Sequence, residues 1–470
     1  MKKLIIPILI LTSLLLSILP TSVSASSNTK IVLSDEGTTV DGTAISTDTS
    51  KSVYSSTSMN NGGTSDTAVS SNIKIDNIIN INSAGTYEFT GNLSNGQISI
   101  NANSINGEVR IILNDVQITC ENAPAIFVYS KDPESENCKV VIETYEGTTN
   151  KITGGKIKQS VEGWEDQDSI LYYVEKDYDD EKQYYERYKY DGAISSDVSL
   201  TFEGAGTLNV VSSKKEGIES KMDITINSGT YNILSLDDGI NACMDNKSTI
   251  TINGGTVLVN VLDEADEGDG IDSNGYLYIN GGTVYAFAHP GSDNGLDSDL
   301  GTYINGGTVF TTGSMYEETK TTNDTKIIQM QLKDQIEVGQ SIVIVDENEN
   351  VVFAYKADRN ISTLVYSSSN LTDQDYTVYA GNSIEGKLDS NNIYTEITSL
   401  DLQSMTKQEN SSGKGGPMRL NNGFQEKSTE ITKSNELEPN TKIAKMILIF
   451  LIILIIAIAV TAVIAVVKRK

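Results

Sequence analysis

A phrase of five residues that returns at nearly constant spacing constrains this chain more than any other feature. Ile-Asn-Ser-Gly-Thr begins at Ile226, and Ile-Asn-Gly-Gly-Thr begins at Ile252, Ile279 and Ile304. The spacings between successive copies are 26, 27 and 25 residues. Asp-Gly-Ile or a close variant opens each unit. Its copies begin at Asp191, Glu216, Asp238, Asp269 and Asn294. Units this short cannot bury a hydrophobic face alone, so they must stack on one another.

Each unit reads as short strands joined by a turn. Residues 248–252 and 256–261 alternate with period two around Asn-Gly-Gly, and glycine supplies the positive φ that a tight corner needs. The repeat has no helical periodicity. A period of 25 to 27 residues therefore predicts an all-β, right-handed parallel β-helix. The alternative, a β-propeller, needs units of about 40 residues or more.

Both ends of the chain are apolar. Residues 1–25 have a basic start, an apolar stretch and a small-residue cleavage site at Ala25, as in a secretory signal peptide; an uncleaved anchor is the alternative. Residues 446–467 are long enough for a transmembrane helix, and the basic residues 468–470 follow. We therefore expect a single-pass protein on the extracellular face of the membrane with a cytoplasmic C-terminus. The alternative to a membrane anchor is a sortase signal, whose motif residues 437–442 match only in part.

The rest of the chain divides around the repeat. The predicted parts are a β-helix over 26–320 with an insertion at 162–190, a β-rich cap over 321–400 and a polar linker over 401–445. Net charge is −28, which disfavours nucleic acid as a partner because phosphate binding calls for basic residues. There are three cysteines. A disulfide between Cys120 and Cys138 would leave Cys243 free.

The acidic residues of the repeat predict two ladders. Equivalent positions in successive coils of a β-helix lie about 4.8 Å apart. One ladder joins the openings of the Asp-Gly-Ile phrases and the other joins the residues three positions later. Unpaired carboxylates at that distance repel, and calcium, which takes six to eight oxygen ligands, removes the repulsion. The candidate ligands are Asp237, Asp238, Asn241, Asp266, Asp269, Asp272, Asp293, Asn294 and Asp297. The alternative is that they are ordinary turn and surface residues.

The insertion at 162–190 interrupts the repeat with a cluster of aromatic residues. Exposed tyrosine presents a flat apolar ring with a polar tip, which suits sugar rings. The candidate ligand-binding residues are Trp164, Tyr172, Tyr173, Tyr184 and Tyr185. The alternative is a long hairpin that projects from the solenoid.

The repeated phrases resemble a known family. Glu216-Gly-Ile-Glu-Ser, Asp238-Gly-Ile-Asn-Ala, Asp269-Gly-Ile-Asp-Ser and the Ile-Asn-Gly-Gly-Thr copies are similar to those of clostridial extracellular β-helices that bind polygalacturonate and cellulose-like material. The resemblance covers roughly residues 70 to 385, through Leu371–Gly381. It implies calcium at the coil corners and carbohydrate binding without catalysis. The tyrosine-rich insertion and the apolar C-terminal segment depart from the family pattern.

Two other functions are consistent with the sequence. A calcium-dependent pectate-lyase-like enzyme needs a positioned base, and lysines 214, 215, 221 and 247 lie near the corners, although turn lysines are common. A non-catalytic surface adhesin or spacer is the second. We expect a carbohydrate-binding protein for acidic or plant cell-wall polysaccharide, without a catalytic site and with Ca²⁺ as its cofactor. His289 is the only histidine, which disfavours Ser–His–Asp chemistry.

Overall fold

The structure is a computed structural model. It describes residues 28–57, 75–121, 123–155, 192–212, 215–265, 267–291 and 293–411 in full, and 171–175 and 184–188 by their backbone. All of them lie in one compact unit, Met1–Gly423. This part of the chain is all-β, with two single-turn 3₁₀ helices and no α-helix. The 3₁₀ helices are Ala102–Ser104 and Leu402–Ser404.

Parallel strands stack coil upon coil into a solenoid with three faces. The first face begins with one antiparallel pair, and all its later pairings are parallel. Its strands are Val53–Ser56, Asn77–Ile81, Gly96–Asn101, Ile126–Tyr129, Ile194–Ser196, Ile218–Ser220, Ile240–Ala242, Ile271–Ser273 and Leu296–Ser298. The prediction of a parallel solenoid is confirmed, and its right-handedness stays a prediction.

The second face carries the strand before each Asn-Gly-Gly turn. Its parallel strands are Thr29–Leu33, Gly85–Leu93, Gly107–Thr119, Cys138–Thr144, Leu200–Gly204, Ile224–Ile226, Thr249–Ile252, Tyr276–Ile279, Gly301–Ile304 and Thr319–Lys320. A small antiparallel hairpin, Thr39–Val40 and Thr43–Ala44, pairs with the first of them. The long strand Gly107–Thr119 bends from the second face into the third.

The third face carries the strand after each turn. Its further parallel strands are Thr149–Gly154, Thr207–Ser212, Thr230–Ser235, Thr256–Val261, Thr283–Phe287 and Thr308–Gly313. Between the second and third faces the last glycine of each Asn-Gly-Gly turn has positive φ, at +84° in Gly255 and Gly282. The turn chemistry read from the sequence is therefore confirmed.

The interior is made of aliphatic columns that run along the solenoid. Side chains alternate across each strand, so every second residue points inward. Ile250 and Ile252 are fully buried and pair in register with Leu277 and Ile279 of the next coil. Because each coil presents the same two positions, the apolar side chains form continuous stacks, and burying them is the main stabilising contribution.

The glycine of each Asp-Gly-Ile phrase allows close contact between coils. A Cβ on Gly270 would lie 2.5 Å from the carbonyl oxygen of Gly295 and 2.9 Å from the Cβ of Ala286. One on Gly239 would lie 1.9 Å from Val259 Cγ1. These positions have no room for a side chain, so close packing explains why glycine recurs there.

The last coil continues into strands that run the other way. Ile361–Ser367 pairs antiparallel with Thr308–Gly313 and with Ile327–Ile336. A separate sheet and hairpin follow. Their strands are Ser341–Asp346, Val351–Lys356, Tyr376–Gly381 and Thr406–Lys407 in the sheet, and Ile384–Leu388 and Tyr394–Leu400 in the hairpin. Antiparallel pairing ends the parallel stack and covers the edge of its third face.

One buried arginine joins these C-terminal strands to the solenoid. Arg359 is 5% exposed, and its guanidinium donates to the carbonyl oxygens of Val261 (2.9 Å), Phe287 (3.2 Å) and Ala288 (2.9 Å). Phe287 also stacks on Tyr355, with ring centroids 5.5 Å apart. The third face of the last coils is therefore an internal packing surface.

The structure corrects the expected localisation. In the part of the chain that the structure describes, no helix is long and apolar enough to cross a membrane. The expected signal peptide, the span 446–467 and the basic tail 468–470 lie outside the described residues. A single-pass location with a cytoplasmic C-terminus is therefore not supported.

The cysteines also differ from the suggested pairing. Cys120 and Cys138 are both buried, and in the described structure none of the three cysteines forms a disulfide. Burial raises the pKa of the Cys138 thiol to about 11, which keeps it protonated near neutral pH. The suggested Cys120–Cys138 bridge is wrong for this structure.

Candidate metal centre at an acidic corner

The Asp-Gly-Ile phrases meet at one corner, where each coil enters the first face. Backbone amides of one coil donate to the carboxylate of the previous coil. Asp269 N donates to Asp238 Oδ1 at 2.7 Å, and Asn294 N donates to Asp269 Oδ1 at 2.5 Å. The phrase openings therefore stack as a ladder, at the positions that the repeat predicts.

A second ladder lies three residues further along each coil. Asn241 pairs in register with Asp272, and Asp272 with Asp297, on adjacent parallel strands of the first face. Neighbouring strands lie about 4.8 Å apart. This register brings the carboxylates of Asp272 and Asp297 to the same corner as Asp269.

We call Asp269, Asp272 and Asp297 the acidic corner. Each offers a carboxylate oxygen, and these three oxygens lie within 4.8 Å of one another in partly exposed positions. No lysine or arginine of the described residues lies within ion-pair distance of any of the three. Three negative charges are thus close together without a cationic side chain.

The energetic consequence appears in the pKa values of these carboxyls. Burial first, and then the charges of Asp238, Asp297 and Asp272, raise the pKa of Asp269 to about 9. Burial likewise raises the pKa of Asp272, with contributions from Asp238, Asp297 and Asp299. The corner can hold its full negative charge near neutral pH only when a cation compensates it; otherwise it holds protons.

An unpaired oxygen beside the corner fits a cation. Asn241 is 9% exposed, and its Oδ1 has no hydrogen-bond partner, whereas its Nδ2 donates to Asp238 Oδ2 at 2.6 Å. A buried acceptor without a donor is costly. Carboxylate and amide oxygens without nitrogen or sulfur are the ligand set that calcium prefers. The residues present therefore fit the ion that the resemblance implies.

The remaining predicted ligands have other partners. Asp237 forms an ion pair with Lys215 at 2.5 Å, Asp293 accepts from Gly268 N at 2.9 Å, and Asn294 Nδ2 donates to Asp297 Oδ1 at 3.1 Å. Asp266 lies outside the described residues. These contacts orient the turn around the acidic corner, and in the described structure none of them brings a cationic side chain to the corner itself.

Glu317 belongs to the same site but was missed by sequence analysis. Its carboxylate accepts from Ser298 N at 3.0 Å, and its pKa is raised by burial and then by a hydrogen bond with Asp297. Glu317 follows the last Ile-Asn-Gly-Gly-Thr phrase, so no repeat position identifies it. Only the added second-face strand Thr319–Lys320 indicates that one more partial coil stacks there.

The predicted aromatic ligands lie in the insertion. Tyr172 and Tyr173 are in the strand Leu171–Glu175, which pairs antiparallel with Tyr184–Tyr188, where Tyr184 and Tyr185 are. The structure gives these residues by backbone alone, and Trp164 lies outside the described residues. The backbone confirms a hairpin, while a sugar-binding role for its tyrosines stays a prediction.

The lysines near the corner that the structure describes are engaged by carboxylates. Lys215 pairs with Asp237, Lys221 with Asp197 at 2.6 Å, and Lys247 with Glu134. Lys214 lies outside the described residues. A lysine in an ion pair keeps its proton, so these amines are poorly suited to act as the base that abstracts a proton from a sugar.

Comparison with known proteins identifies the family of this chain. No curated protein matches the chain. Among solved structures, the chain is similar to the polysaccharide lyase-like protein from C. thermocellum, determined as a gadolinium derivative. The two share 19% identity over 63% of this chain and 97% of that chain, with a TM-score of 0.38. The model of the family described as carbohydrate-binding domain-containing protein matches residues 75–362, so the chain belongs to that family.

Proposed function

We propose that this protein binds an acidic polysaccharide and that calcium held at the acidic corner supports the binding. Asp269, Asp272 and Asp297 would hold the ion, with Asn241 as an additional oxygen donor. Membership of the carbohydrate-binding family supports a polysaccharide partner. The observation that carries the proposal is the set of three carboxylates within 4.8 Å of one another without a cationic side chain.

Calcium would compensate the negative charge of the carboxylates at this corner. The chain carries a net charge of −28, which would repel an acidic glycan. When bound, the ion supplies positive charge at the surface. Asp269 and Asp272 would ligate it as carboxylates, Asp269 held by the amide of Asn294 and Asp272 by its place in the strand ladder. A uronate carboxylate could then take one of the six to eight oxygen positions around the ion that the protein leaves open.

The surrounding lysines favour binding over lyase chemistry. A lyase acting on uronates needs an amine free to take a proton beside the sugar carboxylate. Lys215 forms an ion pair with Asp237, and Lys221 forms one with Asp197. We therefore propose a binding protein without catalysis and keep a calcium-dependent lyase as the rival outcome of the experiment below.

The division of the chain is part of the proposal. We propose a right-handed solenoid over 26–320 and a cap over 321–400. Arg359 and the antiparallel strand Ile361–Ser367 support the cap, because both join the C-terminal strands to the last coils. A cap of this kind would keep the open edge of the solenoid from pairing with another chain.

Retention of the full-length protein on immobilised polygalacturonate tests the proposal. We expect retention with calcium and loss of retention with excess chelator. Absorbance of unsaturated sugar product is followed in the same sample. Retention without product would support the binder. Product formation would support the lyase, and absence of retention in both conditions would contradict the proposal.

A matched pair of variants assigns the effect to the corner. Asp272→Asn removes one carboxylate of the acidic corner and should abolish calcium-dependent retention. Asp263→Asn makes the same change of charge at an exposed residue in the same acidic stretch and should leave retention unchanged. Equal loss in both variants would indicate a general charge effect and contradict the assignment.

A further inference from the structure

Three tyrosines form an exposed stack on the second face of the last coils. Tyr278 and Tyr303 are in register on adjacent strands, with ring centroids 5.2 Å apart and an interplanar angle of 20°. Tyr276 lies 5.8 Å from Tyr278 and 6.3 Å from Tyr303. We call these three residues, together with Lys320, the tyrosine platform.

The tyrosines point away from the core. Within Tyr276–Ile279, the side chains of Leu277 and Ile279 are fully buried, so Tyr276 and Tyr278 occupy the outward positions. Tyr276 is 37% exposed, and Tyr278 and Tyr303 are half-buried. In the described structure none of the three belongs to a core cluster, and their ring contacts are with one another.

The fold does not need aromatic residues at these positions. In register with Tyr278, the two preceding coils carry Thr251 and Thr225. Those coils stack in the same way with threonine, so the change to tyrosine adds apolar ring surface on the outside of the solenoid. A contiguous patch of exposed apolar surface is typical of an interaction site.

A cation completes the platform. Lys320 is in register with Tyr303 on the next strand, and a Cβ on Gly301 would lie 3.4 Å from the Tyr303 ring and 3.8 Å from Lys320 Nζ. The ammonium group therefore lies beside the aromatic stack. Across the described ranges, no carboxylate lies within ion-pair distance of Lys320. In a chain of net charge −28, this leaves a cation available to an external anion.

We infer that the tyrosine platform binds a glycan containing uronic acid residues. The apolar C–H face of a sugar ring packs on the tyrosine rings, whose hydroxyl groups offer hydrogen bonds, and the sugar carboxylate pairs with Lys320. The inference rests on the proposed polysaccharide binding and deepens it. Asp272 and Tyr276 are four residues apart on adjacent faces of one coil, so one glycan chain can reach both the acidic corner and the platform.

Binding of the full-length protein to polygalacturonate, and to the same polymer with its carboxylates methyl-esterified, tests this inference. The double variant Tyr278→Thr and Tyr303→Thr restores the residue type of earlier coils and should weaken binding to both polymers by about tenfold or more. Lys320→Gln should weaken binding to polygalacturonate alone. Tyr145→Thr, at an exposed tyrosine outside the platform, is the control and should bind as wild type.

The outcomes separate the platform from the corner. Wild-type affinity in the double variant and in Lys320→Gln, with retention still lost in Asp272→Asn, would overturn the platform and leave the proposed function intact. No binding of the wild-type protein to either polymer would overturn both. If the double variant has a lower melting temperature than wild type, Tyr278→Phe replaces it as the test, because phenylalanine keeps the aromatic ring. An affinity within twofold of wild type would support stacking of the sugar on the ring, and a tenfold loss of affinity would overturn it.

Discussion

At the scale of single residues, the carboxyl groups of the acidic corner are unfavourable for folding in the absence of a bound cation. Asp272 lies between Asn241 and Asp297 in the ladder, and burial together with neighbouring carboxylates raises its pKa. A residue that served folding alone would not be a carboxylate here, because asparagine has nearly the same shape and no charge. Asn241 occupies the equivalent position one coil earlier.

The difference between Asp272 and Asn241 predicts that one substitution has opposite effects on stability with and without calcium. Asp272→Asn should raise the melting temperature in excess chelator, because it removes a buried carboxyl that must either repel its neighbours or take up a proton, and should reduce the stabilisation that calcium gives. Thermal melts with and without calcium measure both effects. Asp263→Asn should change neither. A variant that is destabilised equally in both conditions would contradict the account.

The pH dependence of the metal-free protein follows from the same carboxyls. A carboxyl whose folded pKa is raised binds its proton more tightly in the folded state, so it favours folding below the unfolded pKa of about 4. This contribution is lost as pH rises toward the folded pKa of Asp269, about 9. Melting temperature in chelator should therefore fall between pH 5 and 9. Saturating calcium should flatten the dependence, and a rise with pH in chelator would contradict it.

At the scale of elements, the close stacking of coils depends on glycine. Gly270→Ala would place a Cβ 2.5 Å from the carbonyl oxygen of Gly295, so the coils must separate or shift. We expect a loss of about 1–3 kcal/mol in the free energy of unfolding, measured by denaturant titration. A change below about 0.5 kcal/mol would show that the corner is looser than the structure indicates.

The C-terminal strands depend on Arg359 in a comparable way. Arg359→Met would leave the carbonyl oxygens of Val261, Phe287 and Ala288 without their donor in a buried place. The expected loss of unfolding free energy is about 3 kcal/mol. Lys356→Met, at an exposed residue on a nearby strand, should cost less than about 0.5 kcal/mol in the same titration. Similar stability of the two variants would contradict the role of Arg359.

The strands and ladders of the repeat were predictable because identical spacing places equivalent residues in register. Asp272 and Asp297 meet for this reason alone. Glu317 and Arg359 were not predictable, since each reaches its partners through tertiary contacts outside the repeat. Tyr278 was overlooked because an outward tyrosine in an alternating strand reads as an ordinary surface residue.

At the scale of the whole molecule, the two proposed binding surfaces lie on adjacent faces of the same coils. The acidic corner lies on the first face and the tyrosine platform on the second, whereas the third face is occupied by the C-terminal strands. A rigid stack of coils holds such surfaces in a fixed relation without ordering cost at binding. This arrangement suits an extended polymer better than a small molecule in a cavity.

Calorimetric titration of calcium into the metal-free full-length protein at pH 7 tests the central claim most directly. Repeating it in buffers of different ionisation enthalpy counts the protons released. Because Asp269 has a pKa of about 9 without metal, we predict saturable binding accompanied by proton release, with both reduced in Asp272→Asn. Absence of saturable binding, or binding of equal strength in Asp272→Asn, would contradict the account.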